Sequence, residues 1–131
     1  MSQTPARHLD QAAEHIRAFN HTSRATSDDW QYPSDAYTAI GTLSRLAGML
    51  EQAIEQSARP VMHTHEHGRI RITGSGDADT KVAELVAARA DALAYAAALT
   101  SAVQRMHNAT SPMGMDVTGL PGFNDEDGDQ P

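Results

Sequence analysis

The chain has 131 residues, no cysteine and a formal net charge of −7. That length suits one domain, and the missing cysteine excludes disulfides, thiolate metal sites and a cysteine nucleophile. No run of about 18 apolar residues offers a membrane span, and no basic segment leading into an apolar stretch suggests a secretory leader. The expected location is therefore a reducing cytoplasm. Asp116, Asp125, Glu126, Asp127 and Asp129 supply −5 of the charge, so the rest of the chain is close to neutral. Nothing in that balance favours a nucleic-acid footprint. Aromatic residues are only 5% of the chain, so a core must come from alanine and aliphatic side chains, which favours close-packed helices.

The first helix is expected to begin after Thr4, with Pro5 in the first turn, where a missing N–H costs nothing. Leu9, Ala12, Ala13, Ile16 and Phe19 form its apolar stripe, and residues 21–33 read as a polar connector. Ser34 is the expected N-cap of a second helix. Its seam runs Ala36, Ile40, Leu43, Ala47, Leu50, Ile54, widened by Ala39, Leu46 and Ala53. This helix should end near Ala58, before Pro60. Gly41 and Gly48, seven apart, share a face. Each weakens a helix interior by about 1 kcal/mol relative to alanine, so the pair is either tolerated or a sign of close helix approach.

Residues 61–73 break the helical period and read as a β-hairpin turning at His67-Gly68. On such strands His63 and His65 would share a face with Ile70 and Ile72, and His63, His65 and His67 become candidate ligands for zinc, nickel or copper. A solvated polar hairpin is the plainer reading. Arg69 and Arg71 could touch phosphate as a β-ribbon. Asp77 or Asp79 should cap a third helix running to about His107. Val82, Leu85, Val86, Leu93, Ala96, Leu99, Val103 and Met106 make its stripe, interrupted by Arg89, which is expected to snorkel. From residue 111 the chain turns Gly/Pro-rich and acidic, and is expected to form a disordered acidic tail. The string 125–129 has the look of a calcium loop but lacks the downstream glutamate.

Trp30, Tyr32 and Tyr37 are expected to plug one end of the bundle or to form a partner-binding hot spot. The candidate acids Glu51, Glu55, Glu84 and Asp91 fall on the expected solvent faces. Ile16–Thr22, Trp30–Tyr37, Ile40–Gln52 and the closing string 107–114 together resemble an uncharacterised group of small helical proteins from Streptomyces-type actinobacteria, some encoded near mobile or conjugative elements. The resemblance implies a helical accessory protein and no particular activity.

The expected fold is all-α: a three-helix bundle built on a long antiparallel hairpin of residues 35–58 and 78–107. Residues 5–20 should pack across it, residues 1–110 forming the bundle domain and 111–131 the tail. The expected function is a non-enzymatic, oligomeric interaction or adaptor protein, self-associating or bound to a protein partner. Trp30, Tyr32, Tyr37, Gly41 and Gly48 are its candidate contact residues. No cofactor and no membrane partner are expected. The alternatives are a small DNA-associated regulator using Arg69 and Arg71, and a metal-binding module at the histidines.

Overall fold

The computed structural model describes residues 3–121. It is mostly helical: α1 (Pro5–Thr22), α2 (Pro33–Ser57), α3 (Arg59–Glu66) and α4 (Ala78–Thr110). The all-α expectation holds. The described residues divide into two compact units, one of residues 37–113 and one of residues 3–36 with 114–121. The acidic string 125–129 and the end of the expected tail lie outside the described residues.

In the unit containing α1, Thr4 is extended before Pro5. Ser23 closes the helix by donating its backbone N–H to the Phe19 carbonyl at 2.9 Å. Ser27 and Trp30 exchange backbone hydrogen bonds of 3.1 and 3.0 Å, a tight turn that folds Trp30 back. Its ring meets Phe19 edge-on at 5.6 Å, and its indole N–H donates to the Ser23 carbonyl at 3.2 Å. The indole thereby covers the last turn of α1 and satisfies a carbonyl that the helix leaves free. No residue of α1 is buried.

α2 begins at Pro33, not after Ser34. The start is set from inside the first turn. The Asp35 carboxylate accepts from the backbone N–H groups of Gln31 (3.1 Å) and Tyr32 (3.0 Å), the backward reach of a capping box. Those two N–H groups hold its carboxyl below the usual carboxylate range. α2 stops at Ser57 because Pro60 has no N–H to donate to the carbonyl four residues earlier.

The expected β-hairpin is not present. No strand occurs among the described residues, and 59–66 are helical. Proline ends one helix but is welcome in the first turn of the next, so the chain restarts as α3 after Ala58. The His67-Gly68 pair is a helix stop, not a hairpin turn. Gly68 has φ +67°. Its N–H donates to His65 O at 2.9 Å, and Arg69 N–H donates to Thr64 O at 3.1 Å. These are the two bonds of a Schellman closure, which asks for glycine at the left-handed position.

α4 opens on Asp77, whose carboxylate accepts from the Thr80 backbone N–H at 2.8 Å and the Thr80 hydroxyl at 2.9 Å. These bonds lower the Asp77 pKa from its ordinary value. A depressed folded-state pKa means that the unfolded chain binds the proton more readily. The cap's contribution is thus complete above the ordinary carboxylate range and is lost as pH falls through the lower folded value. Asp77→Ala should lower the melting temperature at pH 7, and the gap from wild type should close in melts run progressively below about pH 4.

Ala47, Ala58, Val82, Ala96 and Val103 form the buried core, with Ser44 beside them. Among the described residues no large side chain is fully buried.

Candidate functional site

Four contacts fix how α2 meets α4. The Tyr37 and His107 rings stack at 4.4 Å. A Cβ placed on Gly41 would lie 2.9 Å from His107 Nε2. The Ser44 hydroxyl hydrogen-bonds Gln104 Oε1 at 2.9 Å. A Cβ on Gly48 would stand 4.0 Å from the Thr100 methyl. As α2 numbers rise, α4 numbers fall, so the two helices are antiparallel neighbours, as the seams imply. Gly41 is where the imidazole of α4 approaches the α2 backbone. Gly48 is ordinary packing with room for a methyl group.

These polar and aromatic contacts occupy one side of the α2–α4 hairpin. The helical repeat places a second set of residues on the other side. On α2 the row is Ala39, Leu43, Leu46, Leu50 and Ala53. On α4 it is Ala88, Ala92, Tyr95, Leu99, Ala102 and Met106. Both rows step by four and three, the spacing of a coiled-coil seam, and neither contains a charge. In an antiparallel pair the sense of rotation reverses between the helices, and both rows therefore emerge on the same side. The register of the four contacts sets Leu43 level with Met106 and Leu50 level with Leu99. Leu43 is 41% exposed, Leu99 47%, Met106 50% and Tyr95 74%. This two-helix apolar face is the candidate site. Sequence reading credited Leu43 and Leu50 to the α2 seam and Leu99 and Met106 to the α4 stripe, because a single helical wheel does not show where a partner helix stops covering it.

The residues singled out in sequence fall in different places. Trp30 caps α1 against Phe19, Tyr37 stacks on His107, and Tyr32 is exposed. Arg69 and Arg71 are exposed on the non-helical segment after Gly68, so the β-ribbon that was to present them is absent. His63 and His65 are on α3 and His67 is its C-cap residue; none is on a strand. His63 and His67 sit with ring centroids 4.5 Å apart. His65 Nε2 instead contacts Asp79 Oδ1 at 2.8 Å. Among the described residues no group of three or more His, Asp or Glu side chains is placed to hold a metal. Of the candidate acids, Glu84 pairs with Lys81 at 3.2 Å; Glu55 and Asp91 are exposed, and Glu51 is half-buried. Arg89 is half-buried on α4.

No described helix is long and apolar enough to cross a membrane. Compared with known proteins, the chain matches no family model, and no curated protein or solved structure is significantly similar to it.

Proposed function

We propose that this chain is a non-enzymatic interaction protein working through its helical faces, and that the hairpin's first partner is a second copy of itself. The observation that carries this reading is the uncharged apolar face shared by α2 and α4. Its α4 row runs from Ala88 to Met106, about 27 Å at 1.5 Å per residue. Two such faces, related by a two-fold axis, would close into a four-helix bundle in which each heptad row meets its counterpart. The small core supports the same conclusion. A hairpin whose buried side chains are alanine, valine and one serine gains little from folding alone, and a second copy would bury the leucines and methionine it leaves open.

Light scattering on the size-exclusion eluate tests the reading. The expected result is a mass of two chains at micromolar concentration, dissociating on dilution. A single-chain mass at several hundred micromolar would overturn it.

A further inference from the structure

We propose that His63 and His67 form a two-imidazole chelate for a divalent zinc, nickel or copper ion, with water completing the coordination. The site is independent of the apolar face.

The string His63-Thr64-His65-Glu66-His67 lies at the C-terminal end of α3. Positions i and i+4 share a helix face one turn apart, the same spacing that brings two histidines onto one zinc in helical metal sites. The two rings are already in contact, with centroids 4.5 Å apart and planes tilted by 51°. A metal bound at about 2.0–2.1 Å from each nitrogen needs those nitrogens only about 3 Å apart, a separation that rings with centroids 4.5 Å apart can reach.

The second observation concerns the proton. His67 Nδ1 lies 2.8 Å from the carbonyl oxygen of His63. A carbonyl oxygen only accepts, so Nδ1 carries the hydrogen, and in the neutral ring Nε2 is then the nitrogen with the lone pair. A backbone carbonyl holding the far ring nitrogen is how metal-bound imidazoles are commonly oriented. The Schellman bonds at Gly68 and Arg69 pin the backbone immediately after the second ligand. His65 falls on another side of α3, engaged with Asp79, and is no part of the site.

Titration of the full-length chain with zinc chloride by calorimetry, with circular dichroism on every variant, tests this. The expected result is one zinc per chain. His63→Ala and His67→Asn should each weaken binding at least tenfold, while His65→Ala leaves it within twofold. Helical content should be unchanged in all three. In proton NMR, zinc should shift the His63 and His67 ring signals ahead of those of the other five histidines. Absence of zinc binding, equal weakening by His65→Ala, or binding unaffected by His63→Ala would overturn the proposal.

Discussion

Leu99→Glu is expected to leave single chains at concentrations where the proposed dimer of the wild-type chain forms. Leu99 stands in the middle of the α4 row, level with Leu50, and is 47% exposed in the single chain. In the pair it would lie at the centre of the apolar seam. A carboxylate placed there faces apolar side chains with no partner, and an unpaired buried charge costs several kcal/mol. Even about 4 kcal/mol weakens association roughly a thousandfold. The single chain should keep its helicity, because the substituted side chain then meets water. Ala94→Glu on the outward side of α4 is the control and should leave the dimer intact. Light scattering reads both. A Leu99→Glu protein that still elutes as two chains would show that this face is not the contact.

The two glycines of α2 should respond differently to the same added methyl. Gly48→Ala removes a glycine from a helix interior, a gain of about 1 kcal/mol, and its Cβ meets only the Thr100 methyl at ordinary van der Waals distance. The melting temperature should rise by about 4–8 °C if the cooperative unit is of 60–100 residues. Gly41→Ala offers the same propensity gain but drives its Cβ to 2.9 Å from His107 Nε2, in a ring already stacked on Tyr37. Overpacking of this kind costs about 1–3 kcal/mol, so the net change should be neutral or destabilising. Removing the ring separates the two effects. In a His107→Ala background, Gly41→Ala should recover the full gain of about 1 kcal/mol. Thermal melts of the four single and double variants decide this. A Gly41→Ala protein as much stabilised as Gly48→Ala would mean that the imidazole does not rest on that backbone.

By itself, the sequence determined the elements whose signals are local and agree with one another. The period of α2, the alanine-rich run of α4, a cap at Asp77 or Asp79 and the stop before Pro60 each follow from neighbouring residues, and the antiparallel pairing follows from two long seams. For the Gly41 and Gly48 pair it left tolerance and close approach both open, and only Gly41 turns out to have a close neighbour. The segment after Pro60 was not legible in the same way. A proline followed by polar and β-branched residues and then His-Gly fits both a hairpin and a short helix with a glycine closure, since the left-handed residue serves either turn. Tertiary structure decided between them by continuing the helical path past Ala58, and with it which two of three histidines become neighbours. It also decided which apolar row is buried. Each helix carries a stripe broader than one partner can cover, and only the mutual rotation of α2 and α4 determines that Ala96 and Val103 go inside while Leu99 and Met106 stay in water.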